Sequence, residues 1–143
     1  MKLFLICLLL SLAILPGYPA LSQSSGRIID SLILALEPAA EDTNQVKLLN
    51  ELAYRYVHIN PDIGLNYGTL ALQLANKLSF RSGAARSHSV IGSNLSAKSD
   101  YANALEHKYE ALKYYEKTND RRNQASLLHS IAFVLKASKK FEE

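Results

Sequence analysis

A pattern of apolar and small residues returns along the chain at a spacing of about 40 residues. One set comprises Val46, Leu49, Leu52, Ala53 and Tyr56, then Ala85, His88, Ile91, Gly92 and Leu95, then Ala125, Leu128, Ile131, Ala132 and Leu135. A second set, Gly64, Leu65, Ala71 and Leu72, returns as Ala104, Leu105, Ala111 and Leu112. Repetition at this period is typical of stacked units that bury their apolar faces against one another.

Within each unit the apolar residues are three and four positions apart, which predicts a pair of helices. The predicted first helices are 44–58, 83–97 and 121–137, and the second helices are 61–78, 101–117 and one that begins at Lys139. Asn60 and Asp120 are suitable N-caps, as is either Asp100 or Ser99 before Tyr101. The small side chains of Ala53, Gly92 and Ala132 are expected where helices approach closely. Alternation typical of strands is missing, so we expect an all-α fold.

These residues resemble a tetratricopeptide repeat (TPR), whose first helix carries a bulky residue, then an apolar–small pair, then an aromatic or Leu. The matches are Leu49, Leu52–Ala53 and Tyr56, then His88, Ile91–Gly92 and Leu95, then Leu128, Ile131–Ala132 and Leu135. The segment DYANALEHKYEALKYYEK, 100–117, resembles the second helix of that family. Lys108 replaces the usual aromatic, as Gly68 does in the first unit, and we expect looser packing there. The resemblance implies an α-solenoid of antiparallel helix pairs, with about two and a half repeats.

The first 22 residues have the features of a secretory signal. Lys2 precedes an uncharged run from Leu3 to Leu15, and the small residues Ala20 and Ser22 place cleavage after Ser22. That run is shorter than the roughly 20 residues that span a bilayer. Cleavage would remove Cys7, the chain's single cysteine, and leave an exported protein without a thiol, in the periplasm or secreted. Retention of the segment as an anchor stays open at this point.

The expected organisation therefore has five parts. They are a signal peptide (1–22), an N-terminal helix and linker (23–45), TPR-like repeats at 46–84 and 85–124, and an incomplete repeat at 125–143. The apolar side of the last predicted helix has no follower, so self-association at that repeat is an expectation. Whether the chain is a whole protein or a fragment is left open.

Catalysis is not expected, because the sequence contains no arrangement of residues that known catalytic or cofactor motifs require. The four histidines form no metal-binding pair at helical spacing, and neither a nucleophile elbow nor a glycine-rich phosphate loop is present. His88 is expected to pack in the core and His107 to face solvent. We predict no catalytic residue, no metal and no cofactor. The net charge of +3 is small, and nucleic acid is not an expected partner.

The TPR resemblance implies a concave groove lined by the first helices, which binds a protein or an extended peptide. Its candidate residues are Lys47, Asn50, Tyr54, Arg86, Ser89, Ser93, Ser126, His129 and Phe133. The first functional hypothesis is thus an exported scaffold for protein–protein or peptide binding. The alternative is the sensor fragment of a signal-transduction protein, of the histidine kinase or nucleotide cyclase type. In certain bacterial proteins of that kind the exported sensor region has a similar order of signal sequence and repeats.

Overall fold

Three tight turns at intervals of 20 residues reverse the chain in the computed structural model, which describes residues 20–36 and 41–142. The helices are α1 (Ala20–Ala35), α2 (Thr43–Arg55), α3 (Pro61–Lys77), α4 (Arg81–Ala97), α5 (Tyr101–Lys117) and α6 (Arg121–Glu142). A short 3-10 turn, Tyr56–His58, follows α2. Every regular element in these two ranges is helical, which confirms the all-α prediction.

The turns share one local geometry. Ser79, Ser99 and Asn119 adopt positive φ values of 54°, 63° and 54°. In each turn the next residue donates its backbone N–H to a carbonyl five residues earlier, as Asp120 does to Tyr115 at 3.0 Å. This Schellman arrangement satisfies carbonyls that the end of a helix would otherwise leave without donors. It also sends the next helix back along the one before.

Side-chain caps fix the starts of most helices. Asp42 accepts from the N–H groups of Asn44 and Gln45, and Asn60 accepts from those of Asp62 and Ile63. Asp100 and Asp120 each accept from the backbone N–H three residues later. An Asp or Asn side chain in this position satisfies one of the free donors of the first turn. The predicted caps at Asn60 and Asp120 are therefore confirmed, and of the two candidates before Tyr101 the cap is Asp100, whereas Ser99 lies in the turn.

Each helix packs against the next one along the chain, and α2 also contacts α4. The apolar residues of one face fill the space between the layers. Leu52, Ile91 and Ile131, which the sequence pattern treats as equivalent, are all buried. Burial also repeats between α3 and α5, where Ala71 and Ala111 have no exposed surface and Gly64 and Ala104 are buried. The core thus follows the 40-residue pattern.

Several expected boundaries differ from the structure. The N-terminal helix begins at Ala20, three residues before the part, 23–45, in which the sequence pattern places it. The prediction of a new helix at Lys139 is wrong, because α6 continues to Glu142 without a turn. At the positions that correspond to Ser99 and Asp100 the chain has Lys139 and Lys140, which offer no capping side chain, and Lys is a good helix former.

The prediction of close helix approach at Ala132 is also wrong, since that residue is exposed. It lies on a face of α6 that includes Leu128 and Leu135, which are 50% and 39% exposed. In α4 the corresponding face is covered by α5, and no described helix covers it in α6. The repeated sequence therefore does not give a repeated environment at this face.

The predicted signal peptide, 1–22, lies outside the described residues except for its last three positions, which begin α1. Among the described helices, none combines the length and the apolar character that crossing a membrane requires.

Gly92 lies where α4 and α5 approach each other closely. A Cβ atom there would lie 2.8 Å from the backbone oxygen of Ala104 and 2.9 Å from Cγ of Lys108. We expect Gly92→Ala to lower the free energy of unfolding by about 1–2 kcal/mol, because the backbone of α5 must shift. Urea denaturation followed by far-UV circular dichroism measures this change.

Gly26→Ala is the matched control, because nothing lies within 4 Å of a Cβ atom at that position of α1. It should leave stability unchanged or raise it by up to about 1 kcal/mol, the helix-propensity gain of Ala over Gly. Equal effects of the two substitutions would contradict the close approach at Gly92.

Candidate functional site

Three adjoining cavities lie along α2, α4 and α6 and share lining residues; together we call them the groove. The Arg86 cavity, of about 200 Å³, is lined by Lys47, Asn50 and Arg86 among others. Arg86 also lines the central cavity, of about 160 Å³. Tyr54 lines both the central cavity and the Lys108 cavity, which has a volume of about 670 Å³.

Eight of the nine predicted groove residues line these cavities. They are Lys47, Asn50, Tyr54, Arg86, Ser89, Ser93, Ser126 and Phe133. The ninth, His129, is exposed and lines none of the three cavities. The sequence pattern therefore places eight of these side chains along one surface of the described part of the chain.

Aromatic and cationic side chains form the exposed part of the groove. Tyr54 is 52% exposed and Phe133 is 66% exposed. The guanidinium carbon of Arg86 lies 5.4 Å from the centre of the Tyr54 ring, a distance at which a cation is attracted to the ring face. Large exposed rings of this kind supply contact area at low conformational cost.

Asn50 has an unusual environment at one end of the groove. Its amide nitrogen donates to the carbonyl oxygen of Gly83 at 3.3 Å, whereas its Oδ1 atom is buried without a hydrogen-bond partner. A buried acceptor that lacks a donor costs free energy. Asn50 also lines the Arg86 cavity, but this oxygen itself is not exposed.

Lys108 lines the largest of the three groove cavities, and it is not among the nine residues that the sequence pattern predicted for the groove. The residue is only 1% exposed. Its Nζ atom donates to Oγ of Ser93 at 3.1 Å and to Oγ of Ser130 at 2.7 Å, so that it joins α4, α5 and α6. The expectation of looser packing at this slot is wrong, because the lysine stem fills the space beside Gly92.

Burial lowers the pKa of Lys108 from its ordinary value of 10.5 to about 8. The physical cause is the loss of hydration around the ammonium group, which disfavours the charged form. The two hydroxyl groups hydrogen-bond to the ammonium but carry no negative charge. The signal available in the sequence was the replacement of an aromatic by Lys at a slot that is otherwise buried.

A pair of histidines forms a second polar cluster, away from the groove. Nδ1 of His88 on α4 lies 3.0 Å from Nδ1 of His107 on α5, and both rings are half-buried. The prediction that His107 faces solvent is therefore wrong. Spacing rules along one helix could not find this pair, because its members lie on different helices.

The pKa values of both histidines are lowered, mainly because the rings are partly buried. For His88 the neighbouring His107 lowers the pKa further, while Glu110 and Glu106 act in the opposite direction. A hydrogen bond between two ring nitrogens requires one of them to be unprotonated. The pair therefore loses its hydrogen bond when both rings are charged.

The described residues contain no group of three or more His, Cys, Asp and Glu side chains that could hold a metal ion. No family model matches the chain, and no curated protein or solved structure is similar to it at a significant level. The geometry of the groove is thus the basis for a functional proposal.

We expect the stability of the protein to rise between about pH 8 and pH 10, because the folded state releases the Lys108 proton while the unfolded chain keeps it. The full gain would be about 3 kcal/mol for a pKa difference of this size. Lys108→Met should abolish this rise and equal or exceed the wild type in stability at neutral pH. Urea denaturation across this pH range measures both effects.

Lys136→Met, at an exposed position of α6, is the control and should keep the wild-type rise. Burial raises the pKa of Tyr115, which lowers stability at the alkaline end of the range. This effect is the same in the wild type, Lys108→Met and Lys136→Met. The same pH dependence in the wild type and Lys108→Met would show that Lys108 is not the cause.

At acidic pH we expect the histidine pair to destabilise the fold. Both pKa values lie below the ordinary 6.5, so the unfolded chain binds more protons than the folded one as the pH falls below that value. Stability is therefore full above pH 6.5 and is lost below it. His107→Gln should weaken this loss, and thermal unfolding between pH 5 and pH 7 measures it. His129→Gln, at an exposed position, should behave as the wild type; a matching reduction there would contradict the assignment to the pair.

Proposed function

We propose that the chain is an exported scaffold of TPR-like helix pairs that binds an extended segment of a partner protein in the groove. The observation that carries this proposal is the line of three adjoining cavities on α2, α4 and α6, lined by eight residues that the repeat pattern selects. Such a surface acts by shape and hydrogen bonding, without a reaction.

The repeat in the fold supports the solenoid part of the proposal. Turns of one geometry return every 20 residues, and the buried positions of α3 and α5 agree at a shift of 40 residues. Stacked helix pairs in which equivalent helices line one side produce an extended binding surface. The contact between α2 and α4, the first helices of adjacent units, agrees with this stacking.

The chemistry of the groove suits a peptide backbone as well as its side chains. An extended peptide offers N–H and C=O groups along its whole length, and these groups need partners when water is removed. Ser89, Ser93 and Ser126 supply hydroxyl groups. The rings of Tyr54 and Phe133 offer contacts for apolar side chains.

Export rests on the sequence of the first 22 residues, which has a basic start, an uncharged apolar run and small residues before the expected cleavage point. A mature chain without cysteine is chemically compatible with an oxidising compartment. N-terminal sequencing of the protein recovered from an exported fraction would identify the cleavage point.

Peptides selected from a random phage-displayed library against the mature chain test the binding function. We expect Tyr54→Ala and Phe133→Ala each to weaken binding of a selected peptide by about tenfold, as is common when an aromatic anchor is truncated. Fluorescence anisotropy with the labelled peptide measures the change. Both side chains are exposed, so the fold should survive each substitution.

Tyr109→Ala is the matched control, because Tyr109 is 44% exposed and lines none of the groove cavities. The affinity of the Tyr109→Ala variant for the selected peptide should equal that of the wild type. Failure to select any peptide, or peptides that bind the Tyr54 and Phe133 variants as well as the wild type, would overturn the proposal.

A further inference from the structure

Lys108 is a buried cation without a buried anion. The lysines in ion pairs described in the structure, Lys77, Lys98 and Lys113, pair with carboxylates at exposed positions. The partners of Lys108 are instead the hydroxyl groups of Ser93 and Ser130. In the described part of the chain, no Asp or Glu lines the cavity that this lysine reaches.

This arrangement lowers the stability of the fold, so stability does not explain it. Removing an ammonium group from water is unfavourable unless an opposite charge compensates it, and an apolar side chain of similar length would fill the same space without that cost. An ammonium group has three N–H donors. Two are used by the serine hydroxyl groups, and the described residues supply no acceptor for the third.

The space in front of Lys108 has the size and lining of a small-molecule site. Its volume of about 670 Å³ is within the range that such ligands occupy. Tyr54, Tyr101 and Phe133 contribute aromatic surface to its walls, and Ser93 and Ser130 contribute hydroxyl groups beside the ammonium. An apolar body with one polar end fits this distribution.

We propose that this cavity binds an organic anion that carries one carboxylate on an aromatic or apolar body, with the carboxylate paired to Nζ of Lys108. One ammonium neutralises one carboxylate, whereas a phosphate monoester brings a second negative charge. Among the described residues, the only other basic one that lines the cavity is His58, which is exposed in the 3-10 turn after α2. The Ser93 hydroxyl donates to the carbonyl oxygen of Ser89 at 3.1 Å, whereas the Ser130 hydroxyl can rotate to donate to the second carboxylate oxygen.

This inference goes beyond the peptide groove, because a free acid can fill the cavity without any partner protein. The same carboxylate chemistry could also come from the C-terminus of a peptide that ends in an aromatic residue. The two sources share the pairing to Lys108, and they differ in the need for peptide contacts outside the cavity.

The test follows Lys108 itself by NMR, in the full mature chain with lysine isotopically labelled at Cε. The Lys108 signal is assigned from its loss in Lys108→Met. Phenylacetate is the first probe, and phenylacetamide is its neutral counterpart of nearly the same shape. The third and fourth probes are acetyl-alanyl-phenylalanine with a free and with an amidated C-terminus.

We expect phenylacetate to shift the Lys108 signal saturably and to raise its pKa, because a bound anion stabilises the ammonium form. Phenylacetamide should bind at least about tenfold more weakly, since its amide oxygen can accept a hydrogen bond from Nζ but carries no negative charge to pair with the ammonium. This comparison uses the wild-type protein, so it does not depend on how a variant folds. A response to the acidic peptide alone would support the proposal with a peptide terminus as the source.

Isothermal titration calorimetry, which needs no Lys108 signal, should show that Lys108→Met loses binding of every acid that shifts this signal in the wild type, while Lys136→Met keeps it. The proposal is overturned if neither acid shifts the Lys108 signal, or if acids and amides bind equally well. Its failure is distinct from failure of the peptide scaffold, because peptides from the library could still depend on Tyr54 and Phe133 while Lys108 remains unaffected.

Discussion

The reversal of the chain every 20 residues is the constraint on which the rest of the structure depends. Ser79, Ser99 and Asn119 each take a positive φ, and each turn leads into a helix that lies against the preceding one. For a residue other than Gly this conformation has an intrinsic cost, which the satisfied carbonyls at the helix end offset. With helices α3, α4 and α5 all 17 residues long, the buried faces come into register.

Close approach of these helices then determines where polar groups can be placed. The missing side chain at Gly92 makes room for the stem of Lys108, and this brings an ammonium group between hydroxyl groups of α4 and α6. The same packing of α4 on α5 joins His88 to His107. The buried cation is a cost to stability at neutral pH, whereas the imidazole pair is a cost only at acidic pH, and the cation lines the largest cavity of the groove.

The sequence was most informative where one helix or one turn is sufficient to explain a residue. The bounds of α5, the caps at Asn60 and Asp120 and the burial of Leu52 all followed from local pattern. It was least informative where several helices meet. Ala132 has the same place in its repeat as Gly92, yet it is exposed because no described helix covers that side of α6.

The sequence by itself determined the helical class, the period of the repeat, the caps and which side chains share a helix face, because hydrogen bonds and side-chain periodicity within a helix are local. Only the tertiary structure decided that Lys108 is buried against Ser93 and Ser130 and that His107 reaches His88. Those environments depend on distances between helices and on how much water remains between them. Neither quantity can be obtained from the order of residues along a single helix.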